Sequence, residues 1–283
     1  MKPTLALLLT SLIWGVTFVA VKSALESVSP LFFVALRFTI GAVTALVLVR
    51  PSAGLRASLL AGIPLGVLLA SAYAAQTIGL VETTPSRSAF LTALSIGLVP
   101  FCAAALGQGR VRLGGYLALA LVLPGLWCVT RPGGTSLGLG GWNVGDSWTV
   151  VCAALFAWHI ALLSRFAGKQ DAGGLVFSQL ATTAVLAYPV AIVAEDVALE
   201  WTPEVIVALI VTGIFASTVT SWLQTWAQSK VSASRAALIF ATEPVFAALF
   251  SALVLGERFG WMGFLGAALI LSGVILSETR GSR

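Results

Sequence analysis

Two ionisable side chains fall in the middle of long apolar runs, and each is chemically able to carry a proton. Glu243 stands inside RAALIFATEPVFAALFSALVLGER, from Arg235 to Arg258, with Pro244 directly after it. A charge at the bilayer centre costs about 2.5–3.5 kcal/mol on insertion scales, so such groups face a cavity or a partner. The carboxyl therefore either carries a proton or meets a substrate ammonium, or it bonds, protonated, to a neighbouring helix where the proline has freed a carbonyl. A proline there also predicts a kink, a natural hinge. His159 is the only histidine and falls at similar depth in its own run. An imidazole with an unperturbed pKa of about 6.5 suits proton exchange, and equally a neutral hydrogen bond inside a packed bundle.

Polar side chains surround these two in stripes. Ser217, Ser221, Gln224 and Gln228 recur at helical spacing, as do Ser88, Thr92 and Ser95, and Tyr73 with Gln76. Small hydroxyls also serve helix packing. Gln76 and Gln224 are bulkier and predict a polar cavity. Trp142, Trp148, Trp201 and Trp261 sit near the ends of runs, where an interfacial belt accounts for them. Trp14 and Trp158 lie at mid-depth and predict aromatic walls. Lys22 and Arg37 lie nearer the outer side and read as snorkelling or helix-pairing groups that could also pair with Glu26 or draw a carboxylate outward.

The elements that must carry these residues follow from composition. The chain has 283 residues, 58% of them hydrophobic and 10% charged, with a mean hydropathy of +1.00. So few charges cannot cover a soluble surface. The net charge of +5 is scattered between apolar runs and forms no nucleic-acid patch. Cys102, Cys128 and Cys152 lie in apolar runs, against a disulfide framework. The start, Met1-Lys2 before an apolar run, resembles a signal peptide, but the run continues to Lys22 and predicts a retained helix.

Since a spanning helix needs about 20 apolar residues, the chain divides into ten runs, near 4–24, 31–50, 57–80, 86–107, 111–130, 145–168, 174–194, 203–228, 232–254 and 260–278. One set of connections and both termini hold Lys2, Arg50, Arg56, Arg110, Arg112, Arg165, Lys169 and Lys230, while the other set holds most of the acids. This bias predicts both termini in the cytoplasm. The stretch RPGGTSLGLGGWNVG, from Arg131, reads as a linker between two halves. QTIGLVETTPSRSAF from Gln76 and QTWAQSKVSASRAAL from Gln224 share Gln-Thr and Ser-Arg at the same separation. Two units of five helices enter the membrane in opposite senses, so the expected division is residues 1–130, a linker at 131–144, and an inverted repeat at 145–279. Such repeats place a substrate site near the midplane between them.

The pattern resembles the drug/metabolite transporter superfamily, specifically its EamA-domain exporters, across essentially the whole chain. Trp14-Gly15, Lys22, Arg37, Glu243-Pro244 and Gly256-Glu257 carry the resemblance. The first half departs from it, having Pro100 without a preceding Glu. Within that family the chain looks most like bacterial exporters of aromatic and other neutral amino acids.

Taken with the polar stripes, this implies an all-α multi-pass protein of the bacterial cytoplasmic membrane, a secondary transporter working by alternating access. Trp14, Tyr73 and Trp158 are expected to hold the apolar part of an amino acid. Gln76, Thr92 and Gln224 are expected to bond its polar end, with His159 and Glu243 tuning charge. The expected partners are a small-molecule substrate, the lipid bilayer and protons as candidate coupling ion, in a monomer or dimer with no nucleic acid and no cofactor. Two alternatives stay open: an exporter of lipophilic cations, and an intramembrane enzyme. The enzyme reading finds Gly134-Thr-Ser136-Leu-Gly138, but no strand–turn–helix context around it. There is no second histidine for a metal and no phosphate-binding loop.

Overall fold

The structure, a computed structural model, describes residues 1–49, 55–108, 113–129, 142–255 and 261–280. The Gly134–Gly138 motif, most of the expected linker and Gly256-Glu257 lie outside the described residues. The described chain is helical. Its helices are α1 (Pro3–Ala24), α2 (Pro30–Leu48), α3 (Leu55–Glu82), α4 (Pro85–Ala93), α5 (Ser95–Ala105) and α6 (Leu113–Val129), then α7 (Val144–Phe166) and α8 (Ala172–Ala194). They continue with α9 (Pro203–Ile210), a π-helical stretch (Val211–Val219), α10 (Thr220–Gln228), α11 (Ala233–Phe240), α12 (Glu243–Leu255) and α13 (Trp261–Arg280). Eight spans among the described residues are long and apolar enough to cross a membrane, and two further apolar helices, Leu113–Cys128 and Trp261–Leu276, are shorter.

Local chemistry sets where the helices start. Thr84, Asp171, Thr202 and Ser232 each cap a helix by accepting from a backbone N–H three residues on. Asn143 and Asp146 form a reciprocal capping box at α7. Prolines open α1, α2, α4 and α9, where no backbone N–H is lost.

The connections gather at two ends. At the first, Val28 bridges to Leu199, and the Glu195 carboxylate accepts from the backbone N–H groups of Leu31 and Phe32 at the start of α2, at 3.3 and 2.9 Å. A negative charge there complements the helix dipole. At this end too, Lys22 donates to the last carbonyls of α3, Leu80 at 2.7 Å and Val81 at 2.8 Å, and Arg87 pairs with Asp146. At the second end Gln108 donates to the Ala161 carbonyl, Asp171 donates through its backbone to Ser58, and Gln228 donates to the Ile160 carbonyl and Ser164 Oγ. Small and aliphatic side chains such as Ala6, Leu7, Ala157, Ala161, Leu223, Ala227 and Ala236 fill this end.

Helices pack in exchanged pairs. α3 lies on α7 as the α9–α10 span lies on α1, α5 contacts α7 as α12 contacts α1, and α2 meets α8 while α6 meets α13. Both α4/α5 and α11/α12 are interrupted helices, broken at Leu94 and at Ala241-Thr242. Pro244 thus does not kink a continuous helix. It occupies the first turn of α12, where proline is well tolerated, and the helix before it simply ends.

Candidate functional site

Both helix breaks open onto one cavity of about 70 Å³, where about 10–15 Å³ on this measure holds a single water. It runs from mid-depth toward the first end: Val21 and Leu80 line its limit there, while nothing beyond Gln224 lines it toward the other.

Aromatic rings make one wall. Trp14 packs against Phe240 with centroids 5.2 Å apart, and Tyr73 packs between Phe38 and Phe156 at 4.9 and 5.1 Å. Trp14 is fixed by two bonds, its Nε1–H donating to the Ala216 carbonyl at 3.0 Å and to Thr220 Oγ1 at 3.1 Å. That carbonyl belongs to the π-helical stretch, where an altered backbone register leaves groups free for other donors. The π stretch also packs tightly on α2. A Cβ at Gly213 would stand 2.9 Å from Ile40 Cβ and 3.1 Å from the Arg37 carbonyl, and Thr218 Oγ1 donates to the Gly41 carbonyl at 2.7 Å.

Polar groups make the rest. Gln76 donates to Thr92 Oγ1 at 3.2 Å, tying α3 to the first helix break. Gln224 donates to Gln228 Oε1 at 2.9 Å. His159 Nε2 lies 2.9 Å from Gln179 Oε1, a pairing that fixes the ring between α7 and α8. At the second break Glu243 lines the cavity and has no hydrogen-bond or ion-pair partner among the described residues. Its position depends on Gly15. A Cβ on that glycine would stand 2.8 Å from the Glu243 carbonyl and 2.9 Å from the Ala247 nitrogen.

The family model for EamA-like transporters matches residues 1–131 and again 143–279. The chain belongs to the EamA-like transporter family. This EamA-like chain is also 32% identical over 276 residues to an uncharacterized transporter of Archaeoglobus fulgidus, a match covering 98% of the chain and 85% of that relative. A solved crystal structure shares its fold, with a TM-score of 0.79 at 20% identity, covering 99% of this chain and 98% of the other. Family and relative point to a multi-pass membrane transporter, not an enzyme. Among the described residues of this EamA-like protein no cluster of His, Cys, Asp and Glu could hold a metal.

Of the residues expected at the site, the fold brings Trp14, Tyr73, Gln76, Thr92, His159, Gln224 and Glu243 around the cavity. Trp158 does not join them. It points away from the cavity, 41% exposed, while its neighbour His159 faces inward at 3%. Phe156, two residues earlier, supplies the aromatic surface from α7. Ser88 is buried away from the cavity, and Gln228 turns to α7. Arg37 corrects half of its reading, since it does pair helices, donating to Ser217 Oγ at 3.0 Å. It does not snorkel: it is 5% exposed and lines the cavity. Its apolar flanks, Leu36 and Phe38, were the available signal, since an arginine about two turns inside an apolar run has no interface within easy reach.

Proposed function

We propose that this protein is a secondary transporter that exports small neutral amino acids, aromatic and other amphiphilic ones, by alternating access. In this reading ten spanning helices form two inverted five-helix repeats, residues 1–130 and 145–279 joined by a linker at 131–144, with both termini in the cytoplasm. Support for the repeat comes from the family model matching two successive stretches and from the exchanged helix pairing. Charge bias then makes the first end the outer one.

The observation that carries the substrate class is a single cavity that joins ring faces to fixed polar groups at two helix breaks. Trp14, Tyr73, Phe156 and Phe240 offer an apolar body its surface, and Gln76, Thr92 and Gln224 offer hydrogen bonds to a polar end. Interrupted helices facing a midplane site are the arrangement expected of a carrier with inverted repeats. The lipophilic-cation reading draws on the unpartnered Glu243 among aromatic rings, and is weakened by Arg37 in the same cavity.

The test is uptake of labelled phenylalanine, threonine and tetraphenylphosphonium into proteoliposomes, with and without a pH gradient. Saturable phenylalanine uptake in excess of the cation is expected. Uptake of the cation alone would replace the amino-acid reading with that of a drug exporter.

A further inference from the structure

Arg37 is a positive charge enclosed by neutral groups. Its Nε–H donates to Ser217 Oγ at 3.0 Å, and Nη2 reaches the Ala216 carbonyl at a long 3.4 Å. The Tyr73 and Phe38 rings lie beside Cζ, centroids at 4.5 and 5.3 Å. No carboxylate pairs with it among the described residues. Ring faces and the hydroxyls of Ser217 and Tyr73 repay only part of what it costs to take a guanidinium out of water. The group also carries more N–H donors than these partners can accept.

The same cavity holds Glu243, on a different helix and with no hydrogen-bond or ion-pair partner among the described residues. Arg37 on α2 and Glu243 on α12 line one cavity, and no ion pair is seen between them among the described residues. What completes such an arrangement is a molecule with an anion at one end and a cation at the other. A planar guanidinium fork matches a carboxylate through paired N–H bonds, and a carboxyl accepts from an ammonium.

We propose that Arg37 is the carboxylate-binding residue of the cavity, holding the acid end of a zwitterionic substrate against the π-helical stretch while Glu243 faces its ammonium. This rests on the amino-acid reading above and adds the residue that separates amino acids from amines. Pinning α2 to the π stretch does not require the charge. Thr218 and the close approach of Gly41 to Ser217 already join those elements.

The test is calorimetric titration of the purified full-length protein, as wild type, Arg37→Gln and Arg37→Lys. The probes are L-phenylalanine, 3-phenylpropionate, which lacks the ammonium, and phenethylamine, which lacks the carboxylate. Arg37→Gln should weaken phenylalanine and 3-phenylpropionate about 10- to 100-fold and leave phenethylamine within about twofold. Arg37→Lys should fall between, since an ammonium keeps the charge and loses the fork. Equal weakening of all three probes, or unchanged phenylalanine affinity in Arg37→Gln, overturns the proposal. If the glutamine variant does not reach the membrane, unchanged relative affinities in Arg37→Lys overturn it instead. Arg37-dependent binding of 3-phenylpropionate without phenylalanine uptake keeps the carboxylate site and removes the amino-acid reading. Binding of neither acid by the wild type, with uptake of tetraphenylphosphonium, removes both.

Discussion

Glu243 shows how a single side chain changes meaning when its surroundings are known. Sequence left it two roles, a carboxyl bonded to a neighbouring helix or one left available to solutes and protons. Among the described residues nothing bonds to it, and it faces the cavity. An ionisable group in that position exchanges protons with whatever water the cavity admits. Glu243→Gln removes the exchangeable proton with almost no change in shape. The expected outcome is loss of pH-gradient-driven phenylalanine accumulation in proteoliposomes, by at least about tenfold if one coupling step worth about 1.4 kcal/mol or more is removed. Exchange of labelled for unlabelled phenylalanine without a gradient should persist. Accumulation equal to wild type would assign Glu243 a purely structural place in the wall.

At the scale of elements, the contact between α1 and α12 decides where that carboxyl stands. Gly15 lets the two backbones touch, and any side chain there must displace the start of α12, because its nearest neighbours are the Glu243 carbonyl, the Ala247 nitrogen and Phe246 Cβ, none of them the far end of a flexible side chain. Overpacking of this kind costs about 1–3 kcal/mol. Gly15→Val is therefore expected to lower the thermal midpoint and to reduce transport more than Glu243→Gln does, since gradient-free exchange should fall as well. A midpoint scan and an exchange assay on one preparation check this, and unimpaired exchange would mean that the break tolerates displacement. The elements themselves were legible to different degrees. Hydropathy marks the apolar spans because lipid demands them, and polar stripes give helix phase because hydroxyls and amides avoid lipid. Aromatic residues give no phase, since a ring suits lipid and pocket alike. That is why Trp158 was expected inside and Phe156 was not. The break at Leu94 has no proline at it, and the π-helical stretch has no composition of its own, so neither could be read from the chain.

For the whole molecule, alternating access needs two closures that exclude one another, and related contacts stand at opposite ends. Lys22 ties α1 to the last carbonyls of α3, and Gln228 ties the end of α10 to α7. In the proposed inverted repeat these contacts correspond, α1 with α3 in one half and α7 with α10 in the other. If the halves rock about the cavity, each tie stabilises closure of its own end, and removing it shifts the population toward opening there. A cysteine at Ser221, a cavity-lining position, reports the state in a background lacking Cys102, Cys128 and Cys152. Lys22→Ala should raise its labelling by a membrane-impermeant maleimide added outside intact cells. Gln228→Ala should lower that labelling and raise labelling from the cytoplasmic face of inverted vesicles. Each tie replaces only a few hydrogen bonds of about 0.5–1.5 kcal/mol, so shifts of about two- to tenfold are the scale to expect. Changes in the same direction for both variants would show that the ties hold the bundle together without alternating. Opposite changes with the faces exchanged would keep the gating and invert the orientation assigned from the charged loops.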